Sequence, residues 1–164
     1  MKKKIIGALL VVFLLAGALS ASAQDVFASY NKPGNVNLYV AAGWGGWWLL
    51  GAGVDAEVVI GKFDLGPIPF QWGLMGMGLF NFLPGFGLGA AGMATLHMGL
   101  VWNLDFFIGL GLGAEIIPGF GLGFAQTAGV CYKLSNSLTI LATDCYIGGS
   151  TGLGLYGVGL QLKL

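Results

Sequence analysis

A strict alternation of large apolar residues with small or acidic ones dominates the segment from Asp105 to Ile116. A period of two is typical of a β-strand, because consecutive side chains point to opposite faces, whereas a helix would spread Asp105 and Glu115 around its circumference. Phe107 is the one bulky residue on the small face. Strands with one apolar face and one small or polar face are what a transmembrane β-barrel requires. The same alternation recurs in two further segments, 53–60 and 156–164.

The composition favours a membrane protein but leaves two architectures open. Hydrophobic residues make up 56% of the 164-residue chain and charged residues 9%, well below the roughly 25% of a soluble domain. Segment 73–101 contains no Asp, Glu, Lys or Arg, so a Gly-rich polytopic helical membrane protein is the alternative. The alternation favours strands. Because the chain has no arginine and no basic stripe, we expect no nucleic-acid partner.

The first 23 residues have the layout of a secretory signal peptide. Lys2–Lys4 form a positive start, Ile5–Leu19 an apolar core, and Ala21–Ala23 a small-residue cleavage site. We therefore expect the signal peptide 1–23 to be removed during export. What remains is predicted to be a short N-terminal periplasmic segment at 24–35, followed by the barrel at 36–164.

Turn signals divide the remaining chain into eight predicted strands. Each reaches the roughly 9–11 residues that a tilted strand needs to cross a bilayer. An open sheet edge in lipid would leave backbone groups unpaired, so we expect an all-β, antiparallel up-and-down barrel that closes. Its lumen would be just wide enough for side chains, and the glycines would let facing walls approach. The predicted strands are Val36–Trp44, Ala52–Lys62, Phe70–Asn81, Leu88–Trp102, Asp105–Ile116, Leu122–Lys133, Leu138–Gly148 and Leu153–Leu164.

The hexapeptide Pro-Gly-Phe-Gly-Leu-Gly occurs twice, starting at Pro84 and at Pro118. Its spacing matches two strands with their turns, which indicates hairpin duplication. The two copies are therefore predicted to lie at the same end of the barrel.

The signal peptide, the eight alternating strands and the last strand together resemble the small outer-membrane β-barrels of the OmpA-domain and OmpX type. The resemblance implies residence in the outer membrane, contact with its lipid and insertion by the outer-membrane assembly machinery. That machinery reads the last strand, which in such families usually ends in Phe, whereas this chain ends in Leu. The predicted assembly signal consists of the outward residues Tyr156, Val158, Leu160, Leu162 and Leu164. We expect a monomer.

Polar residues on the small faces of the strands define a predicted lumen network. Buried charges must be paired or solvated, and Lys163, near the closing seam, is a candidate partner for an acid. His97, the only histidine, falls on the inward face of its strand. We expect it to hydrogen-bond to Asp105, Glu115 or Asp144. The full predicted network comprises Asp55, Glu57, His97, Asp105, Glu115, Asp144, Gln161 and Lys163.

His97 could alternatively be catalytic. The outer-membrane lipid A deacylase uses a His, a Ser and an acid, but Ser135, Ser137 and Ser150 all fall in predicted turns of this chain. The sequence contains no recognisable metal cluster, phosphate loop or nucleophile elbow. We therefore expect no enzymatic activity, no metal and no cofactor.

The five tryptophans suit the aromatic girdles at the membrane interfaces, where an apolar ring meets wet headgroups. A ligand-binding aromatic box is the alternative use of the same side chains. They are Trp44, Trp47, Trp48, Trp72 and Trp102.

Two arguments conflict over Cys131 and Cys145. Export and an even cysteine count favour a disulfide. The hairpin turn between their strands is centred near Asn136, which sets Cys131 opposite Leu141. Cys145 then falls opposite Thr127, so the two cysteines are offset by four residues, or about 13 Å along the strand. A disulfide needs Cα atoms within about 7 Å. We therefore predict two thiols.

The chain is thus expected to be an outer-membrane barrel with a structural or envelope-integrity role. A narrow channel or small-ligand binder that uses an acidic lumen is the alternative function. An even strand number predicts that both termini are periplasmic. The turns near Gly45, Pro84, Pro118 and Ser150 would then face outward.

Overall fold

The chain folds as a closed barrel of eight antiparallel β-strands. The computed structural model describes residues 31–45, 50–82, 85–100 and 103–164. Each strand pairs with its neighbour in sequence, and the last strand pairs with the first, so the predicted all-β fold is confirmed. The strands are β1 Val36–Trp44, β2 Leu50–Leu65, β3 Ile68–Asn81, β4 Gly87–Gly99, β5 Leu104–Ile117, β6 Gly121–Lys133, β7 Leu138–Ile147 and β8 Leu153–Lys163.

Among the described residues there is no helix of sufficient length and hydropathy to span a bilayer. Segment 73–99, whose hydropathy alone allowed a helix, forms most of β3 and all of β4. The helical alternative is therefore not supported.

The predicted strand bounds agree within a few residues, and β1 has the predicted bounds. The largest difference is the hairpin of β2 and β3, whose ladder continues to Leu65 paired with Ile68. A bulge between Val59 and Gly61 interrupts the regular pairing in this hairpin. β4 ends at Gly99 rather than at Trp102, which lies outside the described residues.

Both described chain ends lie at one end of the barrel, which we call the terminus end. β1, β3, β5 and β7 run from it to the opposite, distal end, and the even strands return. Segments 85–89 and 118–123, which belong to the two hexapeptides, both lie at the distal end as predicted; Pro84 is outside the described residues.

The outward faces carry the large apolar residues. Leu110 and Leu112 are 54% and 75% exposed, and Val54, Val158 and the other predicted outward residues of β2 and β8 also lie outside. Phe107 is 3% exposed and points inward, where its ring stacks on His97 at 5.4 Å. Phe107 therefore keeps the in–out alternation of β5, as a bulky side chain on the inward face.

Polar side chains dominate the terminus half of the interior, which we call the polar half. Large apolar side chains fill much of the distal half, which also holds the buried Asn81 and Glu115. Leu79 and Leu155 both reach the space beside Gly53, and Leu153 and Ile147 both reach the space beside Gly89. These side chains are at most 3% exposed. We call them the apolar plug: Leu79, Ile147, Leu153 and Leu155, with Met77 and Met93 in the same cluster. Large apolar side chains therefore line this half of the lumen beside the small ones.

The glycines act differently from the prediction that they let facing walls approach. A Cβ at Gly53 would meet Leu155 at 3.1 Å and Leu79 at 3.2 Å, so this glycine makes room for the plug. A Cβ at Gly111 would instead collide with the carbonyl oxygen of Gly92 on the adjacent strand. Some glycines therefore leave space for large lumen side chains, and others allow the backbones of adjacent strands to approach closely.

Candidate functional site

A histidine held between two carboxylates forms the centre of the polar half. Nδ1 of His97 lies 2.7 Å from Oδ2 of Asp105, and its Nε2 lies 2.8 Å from Oε1 of Glu57. The strand register places this group, because Asp105 pairs with Gly99, two residues beyond His97 on the same face of β4. All three side chains are almost completely buried. His97 thus forms two ion pairs, one with Glu57 and one with Asp105.

Neutral donors surround the Glu57 carboxylate. The hydroxyl of Tyr39 donates to Oε2 at 2.5 Å, Nδ2 of Asn37 donates at 3.1 Å, and the hydroxyl of Thr95 donates to Oε1. Three donors and an ion pair offset the cost of burying the charge. The sequence placed Glu57 in the lumen but did not identify it as a partner of His97.

The chain before β1 contributes to the same network. Nδ2 of Asn31 donates to Oδ2 of Asp105 at 3.2 Å, and Oδ1 of Asn31 accepts from Nδ2 of Asn37 at 3.3 Å. Asn31 is 3% exposed. Backbone bonds from Gly34 to Val59 and back to Asn35 fix the segment against β2. Residues 31–35 thus pack on the terminus end of the barrel, inside the segment predicted at 24–35.

The arrangement restricts the chemistry of His97. Both ring nitrogens face carboxylate oxygens, and with both acids ionised both nitrogens donate, so the ring carries a positive charge. A catalytic base needs a ring nitrogen that can accept a proton. The hydroxyls beside the site, on Tyr39 and Thr95, are both directed at Glu57. The imidazole and both hydroxyls of this site are thus all engaged with carboxylates.

Several buried polar atoms of the same half have no hydrogen-bond partner among the described residues. They include both amide atoms of Gln71, Oδ1 of Asp105 and Oδ1 of Asn37. Gln71 pairs in register with His97 and is 1% exposed. Buried amides normally have partners, so these atoms are suited to bind internal water. Within the described ranges, no cluster of three or more His, Cys, Asp or Glu side chains could hold a metal ion.

Asp55, Gln161 and Lys163 lie on inward positions, as predicted. Asp55 is 7% exposed, and its Oδ1 is without a partner in the described part of the chain. Gln161 is 2% exposed and pairs in register with Tyr39. Lys163 is half-buried and pairs with Asn37. The acid partner of Lys163 stays a prediction.

Glu115 belongs to a second site at the distal end and not to the His97 network. Its carboxylate accepts from the backbone N–H groups of Thr151 at 2.8 Å and Gly152 at 3.1 Å, and also from the Thr151 hydroxyl. Glu115 therefore fixes the connection between β7 and β8 to β5. It is not one of the partners of His97.

The prediction that Asp144 lies in the lumen is wrong. Its side chain is exposed on the outer face of β7, between Ala142 and Tyr146, while Thr143 and Cys145 point inward. It is therefore neither a lumen residue nor a partner of His97. Both faces of β7 carry apolar residues, so alternation could not fix the facing of this strand.

The two cysteines are buried thiols, and no disulfide joins them. Cys131 pairs with Leu141 and Cys145 with Thr127, which is the predicted register. Sγ of Cys145 lies 3.3 Å from Oγ1 of Thr127 and 3.4 Å from Oγ1 of Thr143.

Trp44 and Trp72 lie on the outer face near opposite ends of the barrel, 65% and 43% exposed. Tyr132 lies on the outer face near the terminus end, and Tyr146 and Tyr156 lie on it near the distal end. These positions are compatible with the predicted girdles. The other three tryptophans, Trp47, Trp48 and Trp102, are outside the described residues.

Comparison with known proteins shows the fold. The outer membrane enzyme PagL aligns over 78% of this chain and 99% of its own, with a TM-score of 0.64 and 11% identity. The N-terminal β-barrel domain of Pseudomonas aeruginosa OprF aligns over 82% and 100%, with a TM-score of 0.57 and 14% identity. Ail, the attachment invasion locus protein of Yersinia pestis, aligns over 81% and 100%, with a TM-score of 0.54 and 12% identity.

No protein-family model matches the chain, and no curated protein matches it by sequence. The chain thus has the fold of a small eight-stranded outer-membrane β-barrel, as the sequence predicted.

Proposed function

We propose that this protein is a non-enzymatic barrel of the outer membrane with a structural role in envelope integrity. The observation that carries the proposal is a filled lumen, in which the apolar plug adjoins a buried, ion-paired network. A filled interior stabilises the barrel. Contacts with other components of the envelope would then be made by its outer face and its distal end.

The apolar plug argues against conduction. Leu79, Ile147 and Leu155 are each 0% exposed and occupy the distal half of the lumen. An ion that crossed this region would exchange its hydration shell for hydrocarbon, and no charged side chain of the plug would compensate that cost.

The His97 group argues against hydrolysis. Each ring nitrogen faces a carboxylate, so neither can take a proton from a nucleophile. Ser135, one of the three serines considered as a nucleophile, lies in the turn before β7, where its hydroxyl accepts from the N–H of Leu138 at 3.1 Å. The similarity to PagL is therefore a similarity of fold.

An outer-membrane location is favoured by three features together. They are the predicted signal peptide, the apolar outer face bounded by aromatic side chains, and the fold itself. The residues of the predicted assembly signal are exposed: Tyr156, Val158, Leu160 and Leu162 lie on the outer face of β8, and Leu164 follows it. We infer insertion by the assembly machinery and a monomeric state.

Planar-bilayer recordings test the closed lumen. The refolded protein is expected to give no unit conductance. Leu79→Ala combined with Leu155→Ala thins the plug and should produce a small leak, while the outward control Leu74→Ala should not. Steady cation-selective steps from the unmodified protein would contradict the proposal and favour the narrow channel.

In that case the replacement of Asp55, an inward carboxylate near mid-lumen, would test which residue selects the cation.

Deletion and complementation test the cellular role. Cells without the protein should become more sensitive to detergents and bulky antibiotics, and complementation should restore resistance. Mass spectra of their outer-membrane lipids should stay unchanged. A lipid acyl chain that the protein removes in complemented cells would mean that it is an enzyme.

A further inference from the structure

Asp144 lies on the outer wall in the distal half of the barrel. Its strand neighbours on the same face are Ala142 and Tyr146, and it pairs across the sheet with Ala128 on one side and Tyr156 on the other. Among the described residues, the Asp144 carboxylate has no hydrogen-bond partner and no ion pair. An ionisable side chain on the lipid face is costly, so its presence indicates a function.

Asp144 lines a shallow groove of about 600 Å³ on the outer wall. Its floor is formed by the small side chains of Ala128 and Ala142 with the adjoining backbone, where the sheet lacks bulky cover. Phe106 and Ile108 form one wall, and Tyr156 and Val158 form the other. Trp44, which pairs with Tyr156 from the neighbouring strand β1, lines the side of the groove level with Asp144. The groove therefore has the shape and polarity of a site for an acyl chain, with one negative charge near its distal end.

The charge restricts the occupant. A second copy of this chain would present its own Asp144 or an apolar face, since the described lysines, Lys32, Lys62, Lys133 and Lys163, all lie at the terminus end. A carboxylate in this setting instead favours a primary ammonium group, which offers a positive charge and three N–H donors. Tyr156 and Trp44, which also line the groove, carry a hydroxyl and an indole N–H that can donate to a phosphate.

We propose that the Asp144 groove binds one membrane lipid whose headgroup carries a primary ammonium group, for which phosphatidylethanolamine serves as the probe. Its acyl chain lies along Ala142 and Ala128, and its ammonium donates to the Asp144 carboxylate. The site lies outside the barrel and is independent of the lumen.

Trp44 is the natural reporter of this site. The protein is prepared with Trp47, Trp48, Trp72 and Trp102 replaced by Phe, and is refolded into phosphatidylcholine vesicles. A minor fraction of the lipid carries brominated acyl chains, which quench a nearby indole. That fraction has an ethanolamine, a glycerol or a choline headgroup in three parallel samples, and heat-modifiability on a gel verifies folding in each.

Brominated phosphatidylethanolamine should quench Trp44 more strongly, with an apparent affinity about threefold above that of the glycerol lipid, as a weak exposed ion pair would give. Asp144→Asn should abolish this preference, and the matched control Asp64→Asn, an exposed acid at the terminus end of β2, should keep it. Ala142→Leu fills the groove floor and should also abolish it, with the carboxylate intact. Equal quenching by all three headgroups, or a preference that survives Asp144→Asn, would overturn the assignment.

Discussion

Nε2 of His97 lies 2.8 Å from Oε1 of Glu57, although the two residues are on β4 and β2, with β3 between them. The residue of β3 at the crossing is Gly73. A Cβ there would lie 3.1 Å from both Oε1 of Glu57 and Oγ1 of Thr95, so the glycine provides the space in which the carboxylate reaches across the strand. The charge network of the lumen therefore depends on a position that has no side chain.

Replacing His97 should destabilise the barrel strongly. His97→Gln leaves Glu57 and Asp105 buried without their shared cation, and loss of one member of a buried pair typically costs about 3–5 kcal/mol. Urea unfolding in lipid vesicles measures the free energy, with the outward Leu96→Met as control. The triple variant with Glu57→Gln, His97→Gln and Asp105→Asn should recover part of the loss, because no uncompensated charge remains. A loss for His97→Gln no greater than that of the control would refute the ion-paired description.

Leu110 tests the outward face of β5. This side chain is 54% exposed, and Leu110→Lys should reduce the free energy of folding into lipid by about 2–4 kcal/mol if the residue lies near the bilayer midplane. Leu110→Met is the matched control and should fold like the parent. A lysine variant that unfolds at the parental urea concentration would mean that residue 110 does not face lipid.

Gly111 tests the close contact between β4 and β5. The added Cβ of Gly111→Ala would collide with the carbonyl of Gly92, a backbone group that cannot rotate away. We expect a loss of about 1–3 kcal/mol in the same urea titration. Gly76→Ala is the control, because a Cβ at Gly76 meets nothing within 4 Å. Equal stabilities of the two variants would contradict the observed packing.

Thiol counting tests the register of β6 and β7. The unreduced protein, denatured in the presence of a thiol reagent, should give two reactive groups, from Cys131 and Cys145, because the paired positions keep them apart along the strands. Folded protein should react slowly, since both thiols are buried. A monomer with no reactive thiol would require a different hairpin register.

Epitope labelling tests the orientation of the barrel. If both termini are periplasmic, a tag at Asn136 in the terminus-end turn should stay unlabelled on intact cells and become labelled after permeabilisation. A tag at Ser150, at the distal end, should be labelled in both. Labelling of the Asn136 tag on intact cells would reverse the predicted topology.

The sequence determined the features that depend on a contrast between two strand faces. In β5 and β8 large apolar residues alternate with glycine and polar residues, and such a strand has only one facing that suits lipid outside and a narrow lumen inside. That contrast determined the facing of Leu110, and the alternation in β4 determined the inward position of His97. The strand count followed from the turn signals, and closure followed from the cost of an open sheet edge in lipid. The register of Cys131 followed from the turn beside it, because hairpin pairing is a local property.

Only the tertiary structure decided the rest. β3 and β7 carry apolar residues on both faces, because lipid outside and the apolar plug inside accept the same side chains, so periodicity could not orient Met77 or Asp144. Likewise, the contact of His97 with Glu57 depends on closure of the sheet and on the gap at Gly73. Alternation along a strand reports differences between its faces, whereas contacts across a lumen depend on the curvature that all eight strands produce together.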